Sequence, residues 1–271
     1  MKVTVIINIY NSEKYLEKSI KSVLNQSYSN IELILYDNCS TDKSSSIIEN
    51  IHDRRIKYFK SQMHTNLSKA RENALKKSST EWIAFLDSDD YWHPKKLEKQ
   101  VEVIKSRSND IGLVYTDYLI DNNTKITNSN FQCDDLDFSK LLLSNPIVFS
   151  SIIFSKLAIK SEVKFDPILK YAEDYDLLLK ISKNKKIIFV NEKLTYYRVH
   201  KENLSIKYEL RALSEIRYIL RKYADHELSF LSQKKLNNNI KKIYLKKFIK
   251  FFFQLKFCKM IVILQKRLIK F

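Results

Sequence analysis

The sequence predicts an α/β fold, with a mostly parallel central sheet flanked by helices and a helical C-terminal extension. Three observations carry this reading. Short apolar runs alternate with stretches whose apolar residues recur at helical spacing, the pattern of consecutive βαβ units. The first of these runs is apolar almost throughout, as a strand buried on both faces must be. Acidic clusters directly follow two of the runs, and ligands of open α/β sheets bind just outside such strand ends.

The elements follow in order. Val3 to Ile9 reads as a buried first strand. Asn11-Ser12-Glu13 offers an N-cap, followed by Tyr15, Leu16, Ile20, Val23 and Leu24 on one helical face. Ile31 to Tyr36 is a second strand, and Ser40 or Thr41 caps a short helix through Asn50. Ile56 to Phe59 is a third strand, and Asn66 or Ser68 caps a helix to about Lys77. Trp82 to Leu86 is a fourth strand, and Pro94 stands where the first turn of a helix tolerates proline. Leu113 to Ile120 and Ile147 to Phe154 read as strands, with a polar loop from Asp121 to Asp137. Ala172 to Lys183 reads as a helix, Ile187 to Val190 and Thr195 to Val199 as two short strands, and the chain from about Leu210 onward as helical.

The chain of 271 residues is 44% hydrophobic, enough for one large domain with a full core. The division expected is a domain over residues 1–205 and a basic helical extension over 206–271. The extension holds 17 Lys/Arg against 4 Asp/Glu and so carries most of the net charge of +17. Part of this is compositional bias, because the chain is rich in Lys, Asn and Ile and has one glycine, Gly112. No N-terminal signal peptide is expected, because the apolar strand pattern starts at Val3, and no apolar run approaches the roughly 18 residues that cross a bilayer. Cys39, Cys133 and Cys258 are odd in number and widely spaced, which fits a reducing cytoplasm better than a disulfide framework. Basic charge alone supports only salt-sensitive contact with nucleic acid, and no nucleic-acid-binding motif is present, so no specific nucleic-acid partner is expected.

Four segments carry chemistry. In Phe85-Leu86-Asp87-Ser88-Asp89-Asp90-Tyr91-Trp92, three carboxylates crowd a strand end. Such a cluster is costly unless a cation or donors offset it. Period-two geometry would put Asp87 and Asp89 on one side, as oxygen ligands for Mg²⁺ or Mn²⁺ holding a phosphorylated ligand. Tyr36-Asp37-Asn38-Cys39-Ser40-Thr41-Asp42 ends the second strand, where a carboxylate or amide can accept a nucleobase N–H or simply shape a turn. Glu173-Asp174-Tyr175-Asp176 opens a helix, and Asp174 or Asp176 could take a proton from a hydroxyl nucleophile. Tyr197-Arg198-Val199-His200 and Asn203 supply a potential metal ligand and a phosphate clamp.

In this order, with Val5-Ile6-Ile7-Asn8-Ile9-Tyr10-Asn11, Ser22 to Tyr28 and Asn66 to Asn73, these segments resemble the inverting family-2 glycosyltransferases of the GT-A fold, over roughly Val3 to Ser205. The resemblance implies a Rossmann-like nucleotide-sugar-binding domain and a role for each matching residue. Asp87 and Asp89 match the metal-binding Asp-x-Asp, with Mn²⁺ or Mg²⁺ as cofactor. His200 matches a late-loop position that closes over metal and diphosphate. Tyr10, Asp37, Asn38, Arg71, Asp87 and Ser88 match positions that line the nucleotide, and Asp174 matches the general base. Two departures stand out: Asn38 replaces the usual second Asp, and Cys39 replaces a glycine, so a positive φ there would be strained.

The function implied is transfer of a sugar, from a UDP-sugar or related donor, to a hydroxyl of a glycan or lipid-linked acceptor in surface polysaccharide synthesis. A non-catalytic nucleotide-sugar-binding subunit is the alternative. In the extension, Lys241, Lys242, Lys246, Lys247 and Lys250 alternate with Phe248, Phe251, Phe252 and Phe253. That pattern fits either a packed bundle or a helix on an anionic membrane, hence a cytoplasmic enzyme peripheral to the inner face of the plasma membrane.

Overall fold

The computed structural model describes residues 1–107, 110–129, 136–159 and 163–223, with residues 234, 237 and 238 beyond them. The basic-aromatic pattern of residues 241–255 lies outside the described residues. No helix among the described residues is long and apolar enough to cross a membrane.

The first half alternates strand and helix as the apolar pattern demands. Strands β1 (Val3–Ile9), β2 (Ile31–Asp37), β3 (Ile56–Lys60) and β4 (Trp82–Phe85) run parallel in the order β3-β2-β1-β4. Helices α1 (Leu16–Leu24), α2 (Ser44–Glu49) and α3 (Leu67–Leu75) connect them. Two short pieces follow β4: strand β5 (Tyr91–Trp92) and helix α4 (Lys96–Ser106). Next come β6 (Ile111–Asp121), β7 (Ile126–Asn128), α5 (Phe138–Leu143), β8 (Ile152–Ser155), α6 (Glu173–Ser182) and β9 (Lys186–Arg198). They extend the sheet through β8, β6 and β9 to β5, while β7 pairs with β6. Strands β4 and β8, and β8 and β6, are antiparallel, whereas β6 and β9 are parallel.

Alternation along the strands divides the core between the two faces of the sheet. Ile6, Ile34, Ile83 and Phe85 join Ala70 and Ala74 of α3, Leu177 and Leu178 of α6, and Ile219 and Leu220. Val5, Ile7, Leu33, Leu35 and Ala84 join Leu16 and Ile20 of α1, Ile48 of α2 and Leu97 and Val101 of α4. Burying one such aliphatic side chain is worth about 1.5–3 kcal/mol, so each face is held by many comparable contributions. The single glycine stands at the tightest point. A Cβ on Gly112 would lie 2.5 Å from the Lys185 Cβ and 2.8 Å from the Ile181 Cγ2, so β6 reaches this close to the end of α6 only without a side chain.

Several element boundaries differ from expectation, each for a local reason. Helix α1 starts at Leu16 with no side-chain cap. Its presumed cap residues form a turn instead: Asn11 has φ 50°, and its Oδ1 accepts from the Thr41 N–H at 2.8 Å. Helix α2 starts at Ser44 rather than beside Ser40, because Ser40 accepts from the Asn11 N–H and donates its own N–H to Asp37. Asn66 caps α3 as expected, accepting from the Lys69 N–H. Phe149–Ser151 is a turn of 3₁₀ helix and only Ile152–Ser155 is strand. The two short late strands are one strand, β9, whose pairing with β6 shifts register between Thr116 and Tyr118. Polar Asn191, Glu192 and Lys193 at that irregularity break the apolar pattern without breaking the strand.

The described start of the extension packs on the domain. Helices α7 (Leu204–Lys207) and α8 (Glu209–Tyr223) follow β9, and Ile219 and Leu220 of α8 are buried. The Glu215 carboxylate of α8 accepts from the backbone N–H groups of Lys170, Tyr171 and Ala172 at 2.8–3.0 Å.

Candidate active site

The order β3-β2-β1-β4 reverses direction at β1, so a crevice opens beyond the carboxyl ends of β1 and β4, the place where such sheets bind ligands. The five residues between β4 and β5, Leu86 to Asp90, line it. They are not strand, as the period-two argument assumed: the Asp90 N–H donates to the Asp87 carbonyl at 3.0 Å, closing a turn. Turn geometry therefore gives the three carboxylates three environments.

Asp87 accepts from Arg71 Nη2 at 2.7 Å through Oδ1. Desolvation pushes its carboxyl up, Arg71 opposes the shift, and the charge of Asp89 adds to it. Asp89 accepts from His200 Nε2 at 2.8 Å and Asn203 Nδ2 at 3.3 Å, both through Oδ2. Asp90 is fully buried and accepts from Ser150 Oγ at 2.6 Å and the Arg198 N–H at 2.8 Å. Burial and the charges of Asp89 and Asp87 push its carboxyl well above the usual range. Asp90 thus pins the turn to β9. Ser88 pins it to the approach to α1, with its Oγ 2.7 Å from Ser12 Oγ and its carbonyl accepting from Ser19 Oγ.

Arg71 turns inward. It was expected beside the nucleotide, but its side chain is nearly inaccessible and forks between Asp87 and Glu173, with Nη1 2.7 Å from Glu173 Oε1. Its guanidinium carbon lies 4.2 Å from the Phe149 ring centroid. The α3 position of Arg71 thereby couples the β4 turn to the first turn of α6. Buried Glu173 is pushed up to about 7 by desolvation, against the pull of Arg71. Asp174 is half-buried, and its Oδ1 accepts from the Tyr175 N–H at 2.7 Å. Desolvation raises its pKa too, with Arg71 opposing. Asp176, the other candidate base, faces away. It is buried and engaged by Lys180 at 2.7 Å, Lys222 at 3.0 Å and the Tyr223 hydroxyl at 2.8 Å.

At the end of β2 both residues expected near the base, Asp37 and Asn38, are held by protein groups. Asp37 is fully buried and accepts from the Ser40 N–H at 2.7 Å, Ser45 Oγ at 2.9 Å and the Tyr58 hydroxyl at 3.1 Å. It shapes the cradle from inside. The Asn38 amide is also engaged: Nδ2 donates to the Thr65 carbonyl at 2.7 Å, and Oδ1 accepts from the Thr65 N–H and hydroxyl. Cys39 has φ 68°, the left-handed conformation for which a glycine would be unstrained. Tyr10 stays exposed, with its ring centroid 4.0 Å from that of His64.

The residues present suit a hard divalent cation with few protein ligands. Asp87 Oδ2 and Asp89 Oδ1 carry no hydrogen bond among those described, so each carboxylate keeps an oxygen for a metal. His200, expected as a further metal ligand, places its Nε2 2.8 Å from Asp89 Oδ2. Among the described residues no three His, Cys, Asp or Glu side chains converge on one point. Mg²⁺ and Mn²⁺ accept such sites when diphosphate oxygens and water fill the remaining positions.

Arg198, read as a potential phosphate clamp, and Asn203 and Glu173 make contacts that the sequence did not indicate. Asn203 holds the His200 backbone through its Oδ1 at 2.5 Å as well as reaching Asp89. Arg198 donates through Nη1 to the Asp89 carbonyl. Glu173 anchors Arg71. Asn203 and Arg198 flank His200 in one segment, so proximity along the chain was their available signal. Glu173 read as a helix-start acid, and only tertiary contact assigns its partner.

The fold is shared with solved glycosyltransferases. TarS 1-349 from S. aureus, in complex with UDP-GlcNAc, superposes with a TM-score of 0.69 at 23% identity, covering 87% of this chain and 70% of that one. The mannosyltransferase PcManGT from Pyrobaculum calidifontis, in complex with GDP-Man and Mn2+, gives 0.66 at 17% identity, covering 87% and 69%. The sheet and its switch-point crevice are therefore those of the GT-A class. Residues 4–162 match the family described as Glycosyl transferase family 2. The UDP-Glc:alpha-D-GlcNAc-diphosphoundecaprenol beta-1,3-glucosyltransferase WfaP of Escherichia coli is 35% identical over 204 residues, 75% of this chain and 79% of that protein. WfgD of Escherichia coli, of the same description, is 33% identical over 189 residues, 70% and 73% of the two chains. This chain belongs to glycosyl transferase family 2 and is a glycosyltransferase.

Proposed function

We propose that the protein moves a sugar from a uridine-diphosphate donor to a hydroxyl of a lipid-linked glycan, with inversion, in the synthesis of a surface polysaccharide. The observation that carries this is the division of acids around the crevice. Asp87 Oδ2 and Asp89 Oδ1 lie outside the described hydrogen bonds, and so does Oδ2 of Asp174, next in sequence to the Glu173 that Arg71 joins to Asp87. The donor class is supported by the two relatives named for UDP-Glc and the acceptor class by their diphosphoundecaprenol substrates.

In this mechanism Asp87 and Asp89 would hold Mn²⁺ or Mg²⁺, which supplies positive charge to the diphosphate as its bond to the anomeric carbon breaks. Asp174 takes the proton of the attacking hydroxyl. Burial raises the carboxyl of Asp174 against the pull of Arg71, which makes it a better base than an exposed aspartate. Arg71 fixes the spacing between the two acidic groups by holding Asp87 and Glu173 on one guanidinium. His200 and Asn203 orient Asp89, and Ser88 and Tyr10 line the approach to the crevice. The basic extension beyond the described residues would rest on the anionic inner face of the plasma membrane, where lipid-linked acceptors are found.

Calorimetry with UDP, TDP, GDP and CDP, with and without Mn²⁺, on wild type and Asp89→Asn tests the donor half. The expected result is one preferred nucleotide, UDP, bound in a metal- and Asp89-dependent way. Absence of metal-dependent binding by all four nucleotides would overturn the reading.

A further inference from the structure

Asn8 is an anomaly. It lies near the end of β1, paired with Tyr36 of β2, and one strand position from the switch-point crevice. Its Nδ2 and Oδ1 are both buried, and neither has a hydrogen-bond partner. Leaving a buried amide unpaired is costly, and native proteins rarely do so without a reason.

The strand period says where this amide faces. Ile6 and Tyr36 lie in the core cluster shared with α3, whereas Ile7 and Leu35 lie in the opposite one. Asn8 therefore shares its face with Ile6 below and with the position of Tyr10 above. Tyr36 and Asn38 form the matching row on β2, and the Tyr36 hydroxyl accepts from Asn73 of α3 at 3.2 Å. The loop of His64 and Thr65 closes this array. His64 lies against Tyr10, and Thr65 occupies the Asn38 amide on both its donor and acceptor sides. Two amides thus stand in the row that leads to Tyr10, Asn38 fully engaged and Asn8 wholly without partners.

We propose that the Asn8 side chain reads the imide edge of the donor's uracil, with Oδ1 accepting from the ring N3–H and Nδ2 donating to an adjacent carbonyl. An amide presents one acceptor beside one donor, which is the complement of that edge. Tyr10 supplies the stacking face once its ring parts from His64. This inference rests on the nucleotide-sugar reading above and adds the residue that selects the base. Asn38 keeps the His64–Thr65 loop in place and does not itself touch the base.

The test is binding of UDP and of N3-methyl-UDP, in Mn²⁺, to wild type, Asn8→Ala and Asn8→Asp. Two hydrogen bonds at ordinary net strength give about a tenfold effect. Wild type is expected to bind N3-methyl-UDP about tenfold more weakly than UDP. Asn8→Ala should bind UDP about tenfold more weakly than wild type and no longer distinguish the two ligands. Asn8→Asp should still distinguish them, because it keeps the acceptor. Without ligand, Asn8→Ala should melt no lower than wild type, since removal of an unpaired amide relieves a desolvation cost. Equal UDP affinity in wild type and Asn8→Ala, or persistent discrimination in Asn8→Ala, overturns the proposal and leaves the donor reading intact. Failure of wild type to bind any nucleotide overturns both. If the alanine variant does not fold, Asn8→Ser carries the same comparison.

Discussion

Two acidic turns end the parallel strands on either side of β1, and they do opposite work. The turn after β2 faces inward: Asp37 is fully buried and its oxygens take three donors from its own half of the sheet. The turn after β4 divides its acids. Asp90 is buried and pins the turn, while Asp87 and Asp89 each meet protein donors on one oxygen only. An acidic turn on the ligand edge of a sheet is therefore not itself a ligand site. What makes it one is how many of its lone pairs the protein leaves without a partner.

That contrast can be broken by mutation. The largest effect is expected at a third acidic position, Asp174. Asp174→Asn should lower kcat about 10³-fold and leave metal-dependent nucleotide binding unchanged, checked by steady-state kinetics beside calorimetry. Asp37→Asn should act on the fold instead. It alters a buried carboxyl that accepts three hydrogen bonds and should cost about 2–3 kcal/mol in a urea titration. By contrast, Asp89→Asn should leave the urea midpoint near that of wild type while removing the metal effect on nucleotide affinity. A midpoint loss for Asp89→Asn as large as that for Asp37→Asn would erase the distinction between the two turns.

Acid dependence provides a smaller test. Glu173 is lifted from 4.5 to about 7, so the native state holds its proton more tightly than the unfolded chain does. Stability from this group is greatest below pH 4.5 and declines as pH rises to 7. Glu173→Gln should flatten that decline by a few degrees in Tm between pH 5 and 7.5. In activity the sign is opposite. Transfer needs ionised Asp174, whose pKa is raised, so the acid limb of kcat should lie above the usual aspartate range. The smallest effect belongs to the strained turn. Cys39→Gly removes the cost of φ 68° but adds freedom to the unfolded chain, for a net gain of about 0.5–1 kcal/mol by thermal melting.

Much of the donor half was legible because its signals are local. The apolar runs of β1, β2 and β4 are nearly continuous, and continuous burial on two faces leaves few alternatives to a parallel sheet. The Asn66 cap was legible for the same reason, since the capping side chain and its N–H lie three residues apart. Strand β9 was split because a polar stretch crosses an irregular register, and register depends on the partner strand. The inward turn of Arg71 was not legible either. Its partners lie 16 and 102 residues away, and a lone arginine gives the same signal whether it meets phosphate or carboxylate.

The sequence by itself determined the class of fold, the edge of the sheet on which the acids stand and the family, because burial periodicity and ordered local motifs are properties of the chain. Only the tertiary structure decided which acids remain open. Asp37, Asp90 and Asp176 look no different in sequence from Asp87, Asp89 and Asp174. They differ in the donors that folding brings to them, and a carboxylate surrounded by protein donors supports structure, whereas one with an oxygen to spare can meet a ligand.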